Sequence, residues 1–290
     1  MISKMKRTFA ILLLIALTMS GSVHAQHWIS TGLRCGAGTY LAKGEGLKTQ
    51  LQPNFAIDAN YTYYWSLRSL DLGINTGVSI GYTSAGYKSS LSESYTNYDY
   101  EGNQIDYLIT SPKVYEQTHG VSLEVPAMLA LRWQGVVMNA GLKVQIPVWR
   151  LSKQQLADVN IQATYPAYGV TLTNAAVTGA VTPEDQNMIV KNQAMPIVSL
   201  LLSLEAGYEW SITYADKVGL VAYFDGSPYG FGYRSGVSSG RVVDVAPISN
   251  SANPCPDVKV NTIIGAKAQM MNYLAFGAKV YYRFDVLRKR

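Results

Sequence analysis

The chain has 290 residues, of which 48% are hydrophobic and only 15% are charged, and it contains 25 glycines and 21 tyrosines. Soluble domains carry about 25% charged residues, and no apolar run of about 18 residues follows the N-terminus, which excludes a bundle of membrane helices. The apolar content also excludes a disordered chain, and dispersed hydrophobicity with little charge is typical of a β-barrel in a membrane.

The N-terminus has the features of a secretory signal peptide. Three basic residues come first, an apolar run from Phe9 to Leu17 follows, and small residues stand just before position 26. We predict cleavage between Ala25 and Gln26, so the mature domain is 26–290. Cleavage leaves 21 basic and 19 acidic residues, a net charge of about +2 instead of +5, and no basic block that predicts nucleic-acid binding.

The two cysteines, Cys35 and Cys255, form no disulfide framework, although export would permit them to pair. Cys35 lies in an apolar stretch, where a buried or lipid-facing thiol is the expected state. The spacing of cysteine and histidine supports no metal site, and no phosphate-binding loop is present. We therefore expect neither a metal nor a cofactor.

Apolar and polar residues alternate with a period of two along the mature chain. From Leu70 to Tyr82 the even positions are apolar in six of seven places, whereas the odd positions are polar or glycine. The stretches Phe55–Ser66, Val121–Trp133 and Val198–Trp210 alternate in the same way. These runs are longer than the usual five or six residues of a globular strand. They reach the length of about 9 to 11 residues that a membrane strand needs. They favour a barrel over a soluble sandwich.

Eight strands can be placed at about 27–41, 52–67, 70–86, 116–134, 136–150, 194–213, 217–231 and 272–286. The connections alternate between short turns and the long loops 87–115, 151–193 and 232–271, as in outer-membrane barrels with periplasmic turns and extracellular loops. An even strand number then places both termini in the periplasm. The predicted fold class is an all-β, transmembrane, antiparallel up-and-down barrel of eight strands. Ten strands remain open, because Val258–Lys267 could add more.

Aromatic residues mark the ends of strands on the side of the short turns. They are Trp65, Trp133, Trp210, Tyr282 and Phe284. Such rings prefer the boundary between acyl chains and headgroups, so we predict an aromatic girdle. Trp28 stands at the same level, but its parity disagrees with that of Ile29, Leu33 and Cys35, for which a β-bulge is the available explanation.

The polar strand faces predict a network of charges in the lumen. Its members are Asp58, Asp71, Glu124, Glu205, Glu209, Asp225, Arg132, Lys143, Lys279 and Arg283. An eight-stranded barrel is about wide enough to be filled by its own side chains, and an unpaired buried charge is costly. We predict a salt-bridged plug, with inward glycines such as Gly73 and Gly207 leaving room for long side chains. A narrow ion pathway is the alternative.

The histidines are the best candidates for catalytic residues. After cleavage only His27 and His119 remain, and His119 is close in sequence to Ser122. A spacing of three places His119 and Ser122 on opposite faces of a regular strand, which is poor geometry for a nucleophile and its base. We therefore expect no catalytic residue and no enzymatic activity.

The segment 87–115 is rich in tyrosine, with six of these residues. Tyrosine is common at recognition surfaces because it supplies a large contact area at low entropic cost. The same rings could instead pack the loops onto the rim of the barrel. Both interpretations remain open at this stage.

Several segments resemble a known family. Leu123–Leu129 is similar to the "LE-I/V-P-x-x-L" strand of the outer-membrane β-barrel family abundant in Bacteroides-type bacteria, which includes OmpA-like barrels and PorT-like accessory proteins. Ala206–Trp210 with Gly219–Asp225 resembles its sixth and seventh strands, and Ala167–Thr173 resembles a recurring extracellular loop. The resemblance implies an outer-membrane barrel, and we expect no peptidoglycan-binding domain.

The last strand resembles the C-terminal motif that the outer-membrane assembly machinery reads. Gly277, Val280, Tyr282 and Phe284 carry the motif, although six residues follow Phe284 where the usual pattern ends. Assembly machinery and outer-membrane lipid are therefore expected partners.

The sequence predicts a structural or interaction protein that acts through its extracellular loops, or an accessory subunit of an envelope complex. The expected protein partner belongs to the envelope or to the extracellular space. A narrow porin-like channel is the alternative, and a lipid-modifying enzyme is the weaker one.

Overall fold

The computed structural model describes residues 25–43, 46–67, 69–173, 186–191, 198–227, 231–232, 240–246, 258–267 and 270–286. Fifteen strands and one short helix occur in these ranges. They are β1 (Ala25–Lys43), β2 (Lys48–Gln50), β3 (Gln52–Leu67), β4 (Leu70–Tyr98), β5 (Gln104–Trp133), β6 (Val136–Ala157), β7 (Asn160–Tyr165), β8 (Val170–Thr173), β9 (Gln186–Lys191), β10 (Ser199–Ser211), β11 (Asp216–Gly226), β12 (Phe231–Gly232), β13 (Val243–Val245), β14 (Val258–Val260), α1 (Ile263–Lys267) and β15 (Met270–Asp285).

Eight of the strands close into a ring in the order β1-β3-β4-β5-β6-β10-β11-β15, and β15 pairs again with β1. Every neighbouring pair in the ring is antiparallel. The predicted eight-stranded up-and-down barrel is confirmed. The ten-stranded alternative is wrong, because in Val258–Lys267 β14 pairs with β13 in a separate sheet and the remainder contains α1.

Short turns join the strands at one end of the barrel, which we call the short-turn end; the opposite end is the long-loop end. The turn between β5 and β6 consists of Gln134 and Gly135, which have φ angles of 47° and 89°. Two successive positive φ angles are the geometry of a type I′ turn, whose twist suits a two-residue hairpin. This turn fixes the register Trp133–Val136 between the two strands.

The exterior of the ring is apolar. Outward-facing side chains on β5 from Val121 to Trp133 include Val125 and Leu129, and Leu129 is 72% exposed. We call this zone, with the outward residues beside it on neighbouring strands, the apolar belt. A closed barrel pairs its backbone polar groups between strands and leaves no edge in lipid, so the ring and its belt form a transmembrane β-barrel. No helix in the described ranges is long and apolar enough to cross a membrane.

The residues of the predicted girdle lie toward the short-turn ends of their strands. Trp133, Trp210, Tyr282 and Phe284 point outward and are between 37% and 51% exposed, and Trp65 is half-buried. Register connects two of them across β11, since Trp210 pairs with Val218, which pairs in turn with Tyr282.

Trp28 differs from the sequence-based explanation. The pairing of β1 with β3 and with β15 runs through Trp28 without a register shift, so no bulge is present. The side chain points into the lumen and is 3% exposed. Its parity is that of Ser30, Gly32 and Arg34, which also face inward. The parity of Trp28 differs from that of the outward residues of β1 because Trp28 faces the lumen and is not part of the girdle.

At the long-loop end, most of the predicted loop 87–115 is strand. β4 and β5 remain paired as far as Tyr98 and Gln104, and only the turn 99–103 separates them. In the predicted loop 151–193, β6 continues to Ala157, and β7, β8 and β9 extend the same sheet. The predicted signal peptide lies outside the described residues, and β1 begins at Ala25 beside the predicted cleavage site.

We call the continuation of β4, β5 and β6 beyond the predicted strands, together with β7, β8 and β9, the extension. Residues 240–246 and 258–267, which we call the loop cap, fold against its inner face. Val242, Val243, Val245 and Ile263 of the cap pack into one apolar core with residues of β4 to β7. The members from the extension are Leu91, Tyr95, Ile105, Tyr107, Ile109, Val114, Leu156, Val159, Ile161 and Ala163. Ile264 packs below them, among lumen residues that include Tyr40 and Tyr273.

Candidate functional site

Arg34 of β1 is the centre of a charged cluster in the lumen. Its Nε donates to both carboxylate oxygens of Asp58 at 3.1 Å, and its Nη1 donates to Asp225 Oδ2 at 3.0 Å. Its Nη2 donates to Glu124 Oε2. Arg34 is 5% exposed. A guanidinium has five donors in a planar fork, and here one guanidinium holds three carboxylates from three strands.

Two lysines offset part of the remaining negative charge. Lys143 Nζ lies 2.9 and 2.8 Å from the two carboxylate oxygens of Asp225. Lys279 Nζ lies 3.1 Å from Glu205 Oε1 and 3.5 Å from Asp58 Oδ2. With Arg34, three cations thus face the four carboxylates Asp58, Glu124, Glu205 and Asp225. Neutral amides complete the set, because Asn139 donates to Glu205 at 2.8 Å and Gln145 to Glu124 at 3.1 Å.

A second group of ion pairs lies nearer the short-turn end. Arg132 donates to Asp71 Oδ2 through Nε at 2.8 Å and through Nη2 at 2.6 Å. The same guanidinium stacks over the rings of Trp28 and Tyr64, at 5.3 and 4.7 Å from their centroids. Arg283 forms an ion pair with Glu209, which also accepts a hydrogen bond of 2.8 Å from Tyr281. All ten lumen residues named from the sequence therefore lie in these two groups.

Arg34, the residue with the most ion pairs in the cluster, is not among the lumen residues predicted from the sequence. The signal was available, because the outward residues Ile29, Leu33 and Cys35 have odd numbers and Arg34 has an even one. The few polar residues of β1 hid its alternation. Cys35 is a free, exposed thiol on the outer face, and Cys255 lies outside the described residues.

Side chains fill the lumen above the charged cluster as well. Tyr40, Tyr87 and Tyr273 are buried there, the ring of Tyr40 lies 4.9 Å from that of Tyr273, and Tyr87 donates to the carbonyl oxygen of Tyr40 at 2.9 Å. A cavity lined by Arg34, Glu124 and other residues has a volume of about 10 Å³. This is about the room that a single water molecule requires.

Inward glycines make room for the large rings. An added Cβ at Gly73 would lie 2.1 Å from the carbonyl oxygen of Tyr63 and 2.8 Å from the ring of Tyr64. Because Gly73 has no side chain, Tyr64 can lie across it and support Arg132 and Arg283.

Glu116 and Gln154 hold the loop cap at the mouth of the barrel. Glu116 accepts hydrogen bonds from the hydroxyl of Ser152 and from the backbone N–H of Ile264, the latter at 3.0 Å. Gln154 Oε1 accepts the N–H of Ile263 at 2.8 Å, and its amide nitrogen donates to the carbonyl of Asn261 at 3.1 Å. Glu116 lies beyond the apolar belt, and burial raises its pKa from 4.5 to about 7.

The tyrosines of 87–115 divide between packing and exposure. Tyr87, Tyr95 and Tyr107 are buried, and Tyr95 accepts a hydrogen bond of 2.6 Å from the N–H of Val245 in the cap. Tyr98 and Tyr100 are 55% and 50% exposed at the end of the β4–β5 hairpin. We call residues 98–104, together with the neighbouring exposed Tyr168, the hairpin tip.

A neighbouring turn adds a third exposed ring to the hairpin tip. Tyr168, between β7 and β8, is 61% exposed, and its hydroxyl accepts a hydrogen bond of 3.2 Å from Asn103. Asp99 orders the turn by accepting the N–H groups of Glu101 and Asn103 at 2.9 and 2.8 Å. The exposed rings therefore stand on a hydrogen-bonded support.

The histidine and serine weighed for catalysis lie apart. His119 faces outward, where its Nδ1 lies 2.6 Å from the hydroxyl of Tyr82, whereas Ser122 is buried in the lumen beside Gln145. His27 also faces outward, with its Nδ1 2.5 Å from the hydroxyl of Tyr61. Among the described residues no group of three potential ligands could hold a metal ion.

No protein-family model and no curated protein matches the chain. Solved structures to which it is similar include Neisserial surface protein A (10% identity, 91% of this chain and 99% of that one, TM-score 0.25). Another is Ail of Yersinia pestis in complex with the heparin analogue sucrose octasulfate (11%, 89% and 99%, 0.27). A third is the outer-membrane protease OmpT of Escherichia coli (12%, 93% and 100%, 0.29). At these TM-scores, the closed ring and its apolar belt remain the basis of the fold assignment.

Proposed function

We propose that this protein is an outer-membrane β-barrel with a closed lumen that binds a protein partner through its hairpin tip. The observation that carries the proposal is the contrast between its two polar regions. The charged groups of the lumen form ion pairs with one another. In the hairpin tip, by contrast, the side chains of Tyr98, Tyr100 and Tyr168 are exposed. A structural or interaction role fits this distribution better than transport.

The pairing in the lumen supports a non-conducting barrel. An ion pathway requires a continuous aqueous route, but Arg34 and the tyrosines above it occupy the lumen, and Ile264 of the loop cap packs on top of them. Separating these ion pairs inside a narrow barrel would leave buried charges unpaired, which is costly.

The build of the hairpin tip supports recognition. Binding orders flexible groups at an entropic cost, so a surface that is ordered before binding loses less free energy on association. Tyrosine has few rotatable bonds and offers both a ring and a hydroxyl to a partner. The apolar core between the extension and the cap, together with the turn at Asp99, holds the exposed rings in place before any partner arrives.

Outer-membrane location and orientation belong to the same proposal. The signal-peptide features, the short turns and the resemblance to Bacteroides-type OmpA-like and PorT-like barrels favour periplasmic termini and an extracellular hairpin tip. In this arrangement the partner is an extracellular or envelope protein, and the barrel is its membrane anchor.

Site-specific photo-cross-linking in intact cells tests the proposal. A photoreactive amino acid at Tyr100 is expected to capture a discrete protein, whereas the same group at outward-facing Leu129 in the apolar belt should capture none. Reproducible single-channel conductance of the purified barrel in planar bilayers would support a channel instead. Absence of any capture at Tyr98, Tyr100 and Tyr168 would refute an interaction through the hairpin tip.

A further inference from the structure

We propose that the outer wall above the apolar belt binds the phosphorylated sugars of a membrane glycolipid through Lys48, Lys88 and Lys113. These three lysines, with Tyr115 and Gln155 beside them, are called the lysine cleft. They come from β2, β4 and β5, whose outward faces adjoin at this level. The inference rests on the proposed orientation, with the long-loop end outside the cell.

The register of the strands brings like charges together. Lys48 is the direct cross-strand partner of Lys88, which is in turn opposite Tyr115. Like charges directly opposite each other are destabilising. None of the three lysines forms an ion pair with another described residue, although this chain is poor in charge. An anion between Lys48 and Lys88 would relieve the repulsion.

The space between the lysines is large enough for a sugar phosphate. The cleft has a volume of about 590 Å³ and is also lined by Ser89 and Gln155. Hydroxyl and amide groups beside cations suit a ligand that carries both phosphate and sugar hydroxyls, because ammonium groups bind phosphate as point charges and neutral groups orient the hydroxyls.

The height of the cleft selects among membrane lipids. Lys88 lies six residues beyond Tyr82, at the edge of the apolar belt, which corresponds to about 15 Å above the belt for a strand tilted by about 40°. Phospholipid headgroups extend only about 5 to 8 Å beyond the hydrocarbon on each side. Sugars of a glycolipid reach the level of Lys88, whereas phospholipid phosphates stay below it.

Charge is segregated along the extension in a way that agrees with an anionic surface. Lysines line its base, with exposed Lys153 below the cleft, whereas Asp99, Glu101 and Asp106 are at its far end. Side-chain and backbone hydrogen bonds from Asn103 hold the pKa of Asp99 below its usual value, so the far end stays negative. Basic residues near an anionic surface are attracted and acidic residues at a distance are not penalised, because the potential decays within a Debye length.

The test measures binding of the purified full-length barrel to lipopolysaccharide with a phosphorylated core. The triple variant Lys48→Gln, Lys88→Gln, Lys113→Gln is expected to bind about tenfold to a hundredfold more weakly, with a smaller dependence on salt. Lys43→Gln is the matched control, because it removes an exposed lysine outside the cleft and should change affinity less than about twofold. Heat-modifiable migration verifies that each variant is folded.

Two further arms identify the source of the anion. The same lipopolysaccharide after removal of its phosphates should lose the difference between wild type and triple variant. The soluble core oligosaccharide released from it should compete if sugar phosphates alone suffice. Vesicles of phosphatidylglycerol should distinguish the two proteins much less than lipopolysaccharide does, because their phosphates stay below the lysines. Equal binding of the phosphorylated lipopolysaccharide by wild type and triple variant would contradict the proposal. Wild-type affinity that stays unchanged after dephosphorylation would contradict it as well. Because no protein partner is used, failure here leaves the cross-linking test of the hairpin tip unaffected.

Discussion

The barrel and the extension at its long-loop end are made from the same strands but have opposite polarity. Within the barrel, β5 directs Leu129 outward and Glu124 inward, so that apolar side chains meet lipid and charged ones pair in the lumen. In the extension, β5 directs Ile105 and Ile109 inward to the loop cap and Leu108 and Asp106 outward. The surroundings of each segment, lipid or water, decide which face carries the apolar residues.

A β-bulge in β5, where it pairs with β4, separates the barrel from the extension. The register between β4 and β5 shifts between Ser89 and Leu91, and Pro112 and Lys113 are consecutive exposed residues on the opposite strand. A bulge adds one residue to a strand and changes the face on which later side chains lie. The inward residues of β5 therefore change from even to odd numbers here, whereas those of β4 stay odd. The change lies at the boundary where the apolar core of the extension replaces the polar lumen.

Replacing Arg34 should cause the largest loss in the free energy of unfolding of the barrel. Arg34→Met leaves Asp58, Glu124 and Asp225 with two lysines, and loss of one partner from a buried ion cluster costs about 3–5 kcal/mol. Urea unfolding in lipid vesicles measures the free energy. The control is Arg241→Gln, whose ion pair with Asp244 is about one-third exposed, with an expected loss of about 1 kcal/mol or less. Equal losses in both variants would contradict a central role for Arg34.

A cavity in the apolar core that the extension shares with the loop cap should weaken the packing of the cap without unfolding the barrel. Ile109→Ala removes a fully buried side chain from the core shared with the cap, and such truncations cost about 2–5 kcal/mol. Hydrogen exchange of 240–246 and 258–267 should accelerate, while exchange in β10 and β11 stays slow. Leu108→Ala is the control on the adjacent outward position, which is 41% exposed. Simultaneous loss of protection in cap and barrel would show that the two regions are one cooperative unit.

The attachment of the cap should depend on pH through Glu116. Its pKa is raised from 4.5 to about 7 in the docked state, so its favourable contribution is complete below about 4.5 and is lost as the pH rises through about 7. Docking should weaken by about 3 kcal/mol between pH 4 and pH 8. Hydrogen exchange of Ile264, corrected for the intrinsic effect of pH, measures this change. Glu116→Gln keeps the hydrogen-bonding shape without the titration, and a pH dependence unchanged in that variant would reject the assignment.

How much the sequence predicted depended on which solvent a strand meets. Alternation of large apolar residues with polar ones made the belt from Val121 to Trp133 readable. In the extension, polar residues and tyrosines share both faces, and the change of parity at Pro112 ends the regular pattern, so that β5 was predicted to begin at 116 and not at Gln104.

The lumen was predictable in composition but not in arrangement. Parity placed residues such as Asp58 and Glu205 on inward faces, yet their partners come from strands far apart in sequence, as with Arg34 and Asp225. Pairing across the lumen depends on strand stagger, which alternation does not encode. The docking of the loop cap was equally hidden, because Glu116 and Gln154 recognise backbone groups of Ile264 and Ile263, which have no side-chain signature.

The smallest effect on stability should accompany the largest effect on recognition. Tyr98→Ser and Tyr100→Ser alter exposed rings, and exposed substitutions usually change stability by less than about 0.5 kcal/mol. The double variant should therefore unfold in urea like the wild type, but cross-linking from a photoreactive group at Tyr168 should fall strongly, because the rings that hold the partner are gone. Tyr115→Ser, a half-buried tyrosine lower on the wall, should leave cross-linking unchanged. If stability falls while capture persists, these tyrosines support the hairpin and do not form the recognition surface.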